Sequence, residues 1–376
     1  MRGQQRVCVL ITCGNAPAGA CFGSSITSSS VYLDEIEATS LTLREIEASK
    51  LTDPENFARE VAEPCHPVVV RGLVANWPAV AAGRPSPHEF RTYLSQFVTA
   101  NEVEAFLGQP DIQGKYYYTD DLKSFNFERK RMRLDEALER IVATSGNSDG
   151  PSMYVGSLPT EIYLPGFAQQ NSLSFLPASV HPRIWMGHAS NVSAHYDTYD
   201  NIACVVAGTR RFTLYAPDTI DRLYVGPLDY TMAGQPVSLA ASSPYDEKKY
   251  PRFREVREQA LTAELQPGDA IYIPKLWWHQ VEARSAFNVL VNYWWDAFSV
   301  GPDAPSTALL LSMITIAERP LAERQAWKAF FDHYVFRANG HPLAHLPENQ
   351  HGILGPLKPH NYGRIRARVM QLLRGE

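Results

Sequence analysis

Cysteine is scarce in this sequence, and the few cysteines present are poorly placed for cross-linking. The chain has 376 residues and five cysteines, Cys8, Cys13, Cys21, Cys65 and Cys204, with no two in a C-x-x-C pair. Disulfide frameworks and structural zinc sites need an even set or closely spaced pairs. The sequence therefore excludes both as the basis of the fold.

Long apolar runs and a basic excess are also missing. No apolar stretch approaches the ~20 residues of a membrane-spanning helix, so we expect no membrane association. The formal net charge is −5, which leaves no broad basic surface to attract nucleic acid. The apolar stretch at residues 7–11 is shorter than the core of a secretory signal peptide. We therefore expect a cytoplasmic protein without a nucleic-acid partner.

Composition divides the chain into three parts. Residues 1–30 are rich in Gly, Ser and Thr and lack periodicity, which predicts a disordered or mis-started tail. Residues 31–300 begin with helical stripes such as Phe90, Leu94 and Leu138. From Met153 onward, they continue as short β-rich runs separated by turn residues, as in an all-β sandwich or barrel. Residues 301–376 return to helical spacing. We predict a mainly β fold with flanking N-terminal helices and a helical C-terminal region.

The C-terminal region carries apolar stripes at helical intervals. Leu309 and Met313 belong to one stripe, Trp327 and Phe330 to a second, and Val369 to a third. An apolar stripe identifies a buried face but not the surface that covers it. Two interpretations therefore stay open: these helices pack on their own barrel, or they pair with a second copy as a homodimer.

Three residues carry the predicted chemistry. His195 and Asp197 lie two apart on an extended segment, so their side chains point the same way. His279 follows a strand-like run with G-x5-P-x4-H spacing, which is the second cupin motif. Two histidines and one carboxylate form a facial triad whose open positions suit non-haem Fe(II) oxygenases. Each string alone is weak evidence, because H-x-D occurs by chance in many chains, but the combination predicts a metal site.

The segment from about Met153 to Asp296 resembles the cupin-like JmjC hydroxylases, which are Fe(II)- and 2-oxoglutarate-dependent oxygenases. The matching strings are AHYD at 194–197, YIP at 272–274, WWH at 277–279 and VNYW at 291–294. Among these proteins the chain looks most like the asparaginyl hydroxylase factor inhibiting HIF. The resemblance implies a double-stranded β-helix, the cupin jelly roll, that binds Fe(II), 2-oxoglutarate and O2. It also implies hydroxylation of a C–H bond on a protein or peptide side chain.

The same resemblance implies a set of cosubstrate contacts. In the family, a lysine two residues after a glycine anchors the far carboxylate of 2-oxoglutarate, and Arg210 occupies the matching position. Arg211 and Lys275 remain alternative anchors. Tyr154 would donate its hydroxyl to the cosubstrate carboxylate. The remaining implied contacts are Ser193, in place of a family threonine, and Asn201 and Asn292.

Other functions remain compatible with these residues. A lysine demethylase is disfavoured because the chain lacks cysteine-rich reader modules and basic character. A cupin metalloenzyme acting on a small molecule would need no 2-oxoglutarate, and a non-catalytic binding protein would have no need to keep all three ligands. Tyr199, Asp200 and the long segment 224–254 could shape a substrate groove. Aromatic residues, Trp185 and Trp294 among them, could keep water out of the site.

Overall fold

A computed structural model describes residues 43–51, 53–147, 149–229, 231–232, 234–241, 245–298, 303–357 and 359–375, apart from the side chains of Pro359 and His360. The predicted tail over residues 1–30, three of the five cysteines and the predicted boundary at residue 300 lie outside these residues. Within them, the strands form two sheets.

The larger sheet has nine strands. In spatial order they are β1 (Arg44–Glu47), β2 (Val68–Arg71), β12 (Ala270–Ile273), β9 (Asp200–Ala207), β14 (Asn288–Trp295), β7 (Arg183–Gly187), β6 (Ser152–Pro159), β3 (Glu102–Gly108) and β5 (Glu128–Arg133). The pairs are antiparallel except for β1 with β2. Strands distant in sequence therefore become neighbours, as in a jelly roll.

The smaller sheet has five strands. In spatial order they are β11 (Leu261–Leu265), β10 (Arg210–Tyr215), β13 (Trp278–Ala283), β8 (Ser190–His195) and β4 (Lys115–Tyr116). Only β4 with β8 is parallel in this sheet. The two sheets together form the double-stranded β-helix, and the predicted mainly β fold class is confirmed.

The central strands of the larger sheet are covered on both faces. Val69 and Ala203 belong to a cluster shared with the smaller sheet, which includes Phe212 and Leu214. Val68, Val70, Ile202 and Cys204 belong to a second cluster, on the helical side of the sheet. Successive side chains of a strand point to opposite faces, so a strand covered on both sides carries an unbroken apolar run. This explains the sequence IACVVA within β9.

Short helices precede the barrel strands and also lie between them. They are α1 (Pro54–Phe57), α2 (Pro78–Gly83), α3 (Pro87–Ser95), α4 (Leu134–Thr144), α5 (Thr160–Tyr163), α6 (Phe167–Gln170) and α7 (Phe253–Arg257). Asp53 and Ser86 cap α1 and α3 by accepting a backbone N–H, and a proline follows each cap, the expected start signal. Phe90, Leu94 and Leu138 are buried, so the predicted stripes do face the core.

Three longer helices follow the barrel: α8 (Pro305–Ile316), α9 (Leu321–Tyr334) and α10 (Pro359–Arg374). They fall where the sequence predicts helices. Neither α8 nor α9 contains a buried residue. Within the described part of the chain, no helix has the length and apolar character needed to cross a membrane.

Candidate metal centre

Two neighbouring strands of the smaller sheet bring the predicted histidines together. β8 and β13 are antiparallel, and their register sets His195 directly opposite His279. Cross-strand partners point to the same face, and the two imidazole centroids are 4.4 Å apart. Asp197 follows His195 just beyond the end of β8. This one strand pairing brings together two histidines that are 84 residues apart in the sequence.

A β-bulge in β8 decides which side chains share the face of the histidines. Val281 lies two residues after His279, yet its partner Val192 lies three residues before His195. One extra residue in β8 accounts for the difference. Val192 therefore faces the metal side with Val281, whereas Ser193 and Ala194 lie in the bulge. Ala194 packs on the opposite face of the sheet, in a cluster with Trp278.

Ser193, predicted to contact the cosubstrate, orients His195 through its backbone. Its backbone carbonyl accepts a hydrogen bond from His195 Nδ1 at 2.9 Å. The Ser193 Oγ is buried and has no hydrogen-bond partner among the described residues. The predicted contact of the Ser193 side chain with the cosubstrate stays a prediction.

Backbone carbonyls set the tautomer of both histidines. His279 Nδ1 lies 2.9 Å from the carbonyl oxygen of Trp277, the same arrangement as His195 with Ser193. A carbonyl can only accept, so each Nδ1 must carry the proton. Each neutral imidazole then keeps the lone pair of Nε2 for a metal, which is the usual way that an outer hydrogen bond orients a ligand.

The carboxylate of Asp197 completes the group. Its Oδ2 lies 3.7 Å from His279 Nε2, and one ligand atom from each of the three residues lies within 4.8 Å of the others. Asp197 Oδ2 also accepts a hydrogen bond of 3.1 Å from the Trp294 indole N–H. Among the described residues this is the only group of three or more such side chains. The donor set fits Fe(II) bound by a facial triad.

Burial keeps His279 in the protonation state that metal binding requires. His279 is buried, while His195 and Asp197 are partly exposed. Burial, reinforced by His195, lowers the pKa of His279 to about 4, against the opposing effect of the Asp197 carboxylate. His279 is therefore neutral at physiological pH, which is the protonation state that a metal ligand needs.

The inner face of the larger sheet supplies the opposite wall. Asn292 Oδ1 accepts the Trp185 indole N–H at 2.6 Å, and Asn292 Nδ2 donates to Asn201 Oδ1 at 3.1 Å. Asn292 pairs with Ala203, which belongs to the cluster between the sheets, so both amides face the barrel interior. The predicted pair Asn201 and Asn292 thus forms one network with a tryptophan.

Two glycines leave room for aromatic rings on this wall. A Cβ on Gly156 would lie 2.1 Å from the Trp185 ring, and one on Gly187 would lie 2.6 Å from the Met153 carbonyl oxygen and 3.1 Å from a ring carbon of Tyr154. The Tyr154 ring stacks on that of Trp185 with centroids 6.0 Å apart, and Trp185 packs against the cluster between the sheets, so the Tyr154 ring lies on the interior face. Burial raises the pKa of Tyr154, and its hydroxyl is therefore a proton donor at neutral pH.

Arg210 is a buried cation that has no counter-ion in the described part of the chain. It is 3% exposed, and it lies on the same face of β10 as Leu214, the cross-strand neighbour of His279. Its Nε has no hydrogen-bond partner, and no carboxylate lies within 4.0 Å of it among the described residues. Burial lowers the pKa of Arg210 to about 10, with the Tyr154 phenol acting in the opposite sense. The guanidinium is therefore still charged at neutral pH.

The two alternative anchors form ion pairs with other residues. Arg211 is adjacent to Arg210 and so points to the other face, where it lies 3.9 Å from Glu282. Lys275 pairs with Asp200 at 3.2 Å and also with Asp296. Asp200, expected from sequence to line a substrate groove, is 1% exposed. It accepts hydrogen bonds from Tyr272 and the Ala297 amide, so its role is to hold these loops together.

Exposed apolar side chains lie on the loops that carry the metal ligands. Leu276 donates its N–H to the Asp197 carbonyl at 2.8 Å, although its side chain is 48% exposed and its φ is +69°. A non-glycine residue in this region is strained by about 1–3 kcal/mol and often marks a functional loop. Tyr199, two residues after Asp197, is 53% exposed. The two side chains form part of the rim of the site.

The long segment 224–254 contributes to the rim and also to the core. Val237 forms a bridge with His195, and the Ser238 N–H donates to the Ala194 carbonyl at 2.7 Å. Tyr224, Tyr245 and Tyr250 pack on the outer face of the smaller sheet. The segment therefore extends this sheet beside His195, while most of its aromatic residues serve packing. Its role in binding substrate stays a prediction.

Comparison with known proteins agrees with this architecture. The profile of the family described as Cupin-like domain matches residues 54–300, well over half of the chain. The chain belongs to this cupin-like family. One relative is the Arabidopsis thaliana protein named "Lysine-specific demethylase JMJ31", 33% identical in an alignment 262 residues long that covers 61% of this chain and 46% of the relative. Another is the human "Bifunctional peptidase and (3S)-lysyl hydroxylase JMJD7", 26% identical in an alignment 278 residues long that covers 65% of this chain and 81% of the relative.

A third relative is the Drosophila melanogaster "Jumonji C domain-containing protein 5", 26% identical in an alignment 255 residues long that covers 64% of this chain and 57% of the relative. This chain spans about half the length of the first relatives that it matches. The predicted resemblance to cupin-like JmjC proteins is therefore confirmed for the family. The likeness to an asparaginyl hydroxylase in particular stays a prediction.

Proposed function

We propose that this cupin-like protein is an Fe(II)- and 2-oxoglutarate-dependent oxygenase that hydroxylates a C–H bond on a protein or peptide side chain. One observation carries the proposal: a three-ligand metal group and a buried guanidinium, which has no carboxylate partner among the described residues, face the same barrel interior. A buried charge without a partner costs several kcal/mol. A ligand that is both a metal chelator and a carboxylate would offset this cost.

The spacing of the two parts suits a short dicarboxylate. Arg210 lies four residues before Leu214, which is paired with His279. The backbone of Arg210 is therefore ~13 Å from the position of His279, measured along the strand. An extended arginine side chain and a five-carbon diacid together fill a distance of this size. A guanidinium binds a carboxylate through two parallel hydrogen bonds. Arg210, with the Tyr154 hydroxyl nearby, is therefore the proposed anchor of 2-oxoglutarate.

His195, Asp197 and His279 would hold the iron. When bound, Fe(II) supplies the activation of O2, in an overall reaction that converts 2-oxoglutarate, O2 and a C–H bond to succinate, CO2 and C–OH. The residues of this chain have three tasks in that reaction. The Nδ1 hydrogen bonds of the histidines fix the ligand tautomers, and Trp294 orients the carboxylate of Asp197. Trp185 and Trp294, 5.8 Å apart in an edge-to-face pair, exclude water from the interior.

The rim supports a substrate of protein size. Leu276 and Tyr199 present apolar surface to solvent beside the metal group, and a peptide chain can cover such surface as it enters. Two of the relatives carry names that refer to lysine, one as a demethylase and one as a lysyl hydroxylase. A lysyl side chain is therefore the first substrate to test. A small-molecule substrate would leave the rim uncovered.

Turnover assays on the iron-loaded protein test this proposal. We expect succinate formation that requires 2-oxoglutarate and O2 and rises when a peptide substrate is added, with a peptide product heavier by one oxygen. Release of formaldehyde from a methylated lysyl peptide would instead identify the protein as a lysine demethylase. Activity that is independent of 2-oxoglutarate would instead support another cupin chemistry, and it would refute the proposed role of Arg210.

A further inference from the structure

Two arginines are at least partly buried without an acidic partner in the described part of the chain. Among the described arginines that are not exposed, Arg183 and Arg210 alone have no carboxylate within 4.0 Å. The proposed contact with 2-oxoglutarate accounts for Arg210. Arg183 is partly exposed, and the proposed reaction does not use it. A partly buried cation that has no counter-ion is a candidate site for an anionic ligand group.

Arg183 lies on the interior face of the larger sheet, beside the metal group. It is the first residue of β7, and it pairs with Asn292 of β14, whose amide faces the barrel interior. Its guanidinium carbon lies over the Trp294 ring, 5.6 Å from the ring centroid, where a cation is attracted to the face of the ring. The N–H of the same indole donates to Asp197. One tryptophan side chain therefore separates the charge of Arg183 from a metal ligand.

Neutral groups orient this guanidinium and leave one of its edges open. Nε of Arg183 donates to the Ser157 hydroxyl, and Nη2 donates to the Ser157 carbonyl at 2.8 Å. The charge of Glu161 acts on Arg183, but this exposed carboxylate lies more than 4.0 Å away and is 3.4 Å from His181 Nδ1. Nη1 makes no hydrogen bond to any described residue. The edge formed by Nη1 and Nη2 can therefore bind a carboxylate through two parallel hydrogen bonds.

The charges around Arg183 favour a single carboxylate over a polyanion. Lys275, which precedes Leu276 on the rim, forms ion pairs with Asp200 at 3.2 Å and with Asp296. Arg183 therefore offers an uncompensated positive charge, whereas Lys275 does not. A nucleic-acid strand needs several cations along its phosphates, but one aspartate or glutamate side chain matches one guanidinium fork. The exposed apolar side chain of Leu276 on the same rim also fits a peptide.

We propose that Arg183 is a specificity residue that binds an acidic side chain of the peptide substrate, close to the residue that is hydroxylated. The inference rests on the proposed oxygenase function and adds the charge of the substrate to it. The 5.6 Å from guanidinium to ring centroid and the 3.1 Å from indole to Asp197 Oδ2 put Arg183 within roughly 12 Å of that carboxylate, a span of about three to four extended residues. The acidic residue therefore lies within four positions of the reacting one.

Peptide binding to the full-length protein, loaded with Mn(II) and 2-oxoglutarate, tests this inference without turnover. The probes are two series of end-capped, eleven-residue alanine-based peptides, centred on lysine or on asparagine. Each peptide carries one aspartate, at one of the four positions on either side of the centre, and has a counterpart with asparagine in place of that aspartate.

We expect one aspartate position to bind about 10-fold more tightly than its counterpart, by isothermal titration calorimetry. This factor is the lower end of the range for a hydrogen bond to a charged group, because Arg183 is partly exposed. The preference should persist in the metal-free protein, since Arg183 does not touch the metal group. Failure of the oxygenase proposal, measured by succinate formation, is therefore a separate result from failure of this one.

Variants at Arg183 assign the preference to this residue. Arg183→Gln should abolish the preference for aspartate, and Arg183→Glu should transfer it to a peptide with lysine at the same position. Arg222→Gln is the matched control, because Arg222 is also a partly exposed arginine but pairs with Asp221. This control should keep the wild-type preference.

The wild-type protein alone can overturn the inference, so the test does not depend on the folding of any variant. The inference is wrong if the wild type binds no peptide of either series, or binds the aspartate and asparagine forms equally. It is also wrong if Arg183→Gln keeps the preference. An equal loss of affinity for both forms in Arg183→Gln, together with weaker iron binding, would make Arg183 a positioning residue for Trp294 and would likewise overturn the inference.

Discussion

Replacing Arg210 with methionine should affect stability and cosubstrate binding in opposite directions. Arg210→Met keeps most of the side-chain volume and removes a guanidinium that is 3% exposed and has no carboxylate partner among the described residues. Replacing buried charges with apolar residues of similar size often stabilises a protein by about 1–4 kcal/mol. The metal-loaded variant without 2-oxoglutarate should therefore melt at a higher temperature than the wild type.

The same change should weaken 2-oxoglutarate binding. A hydrogen bond to a charged group contributes about 1.5–3 kcal/mol, and each 1.4 kcal/mol is a factor of ten in affinity. We therefore expect affinity to fall roughly 10- to 150-fold. At a 2-oxoglutarate concentration 100 times its Kd, the wild type gains about 2.7 kcal/mol of stability, which raises Tm by several degrees in a domain of this size. The variant should lose most of this gain.

Differential scanning calorimetry with Mn(II)-loaded protein, with and without 2-oxoglutarate, measures both effects at once. Arg211→Met is the matched control, because Arg211 pairs with Glu282 on the opposite face of β10 and should leave both values unchanged. If Arg210→Met keeps the wild-type Tm gain with 2-oxoglutarate, Arg210 is not the anchor and the reasoning from its burial is wrong.

Three further changes test the metal group. Asp197→Ala should abolish tight iron binding, measured by competition with a chelator, while the circular dichroism spectrum stays that of the wild type; unchanged iron affinity would exclude Asp197 as a ligand. Trp294→Phe keeps the ring but removes the N–H that Asp197 accepts, and it should weaken iron affinity about 10-fold, as loss of an outer hydrogen bond typically does. Because burial lowers the pKa of His279 to about 4, the unfolded metal-free chain binds one more proton than the folded chain between about pH 4 and the ordinary histidine pKa of ~6.5. Metal-free stability should therefore fall as pH falls through this window, and His279→Gln should reduce the slope in urea unfolding.

The sequence predicts the metal group well because its signal is local. His195 and Asp197 are two apart, and His279 lies at a fixed distance from a glycine and a proline, so no register needs to be known to find them. The fold class follows from the same motifs and from short β-rich runs. The direct pairing of His195 with His279 cannot be predicted from the sequence, because it depends on the register of two strands whose histidines are 84 residues apart.

Other residues show where the sequence is ambiguous. Whether Ser193 or Val192 faces the metal depends on a bulge, and a one-residue shift moves a side chain to the opposite face of a sheet. The ion pairs of Lys275 with Asp200 and Asp296 join segments distant in sequence, so Lys275 could not be set aside as an anchor beforehand. Trp294 matched a family string, but its hydrogen bond to Asp197 becomes visible only when β14 is placed beside β9.

The most direct test of the central claim is an anaerobic titration of the Fe(II)-loaded protein with 2-oxoglutarate, monitored in the visible range. A metal-to-ligand charge-transfer band should appear and saturate for the wild type. It should be absent in Asp197→Ala and should require more 2-oxoglutarate in Arg210→Met. If the wild type holds iron but never develops the band, 2-oxoglutarate does not chelate this metal, and the oxygenase proposal is contradicted.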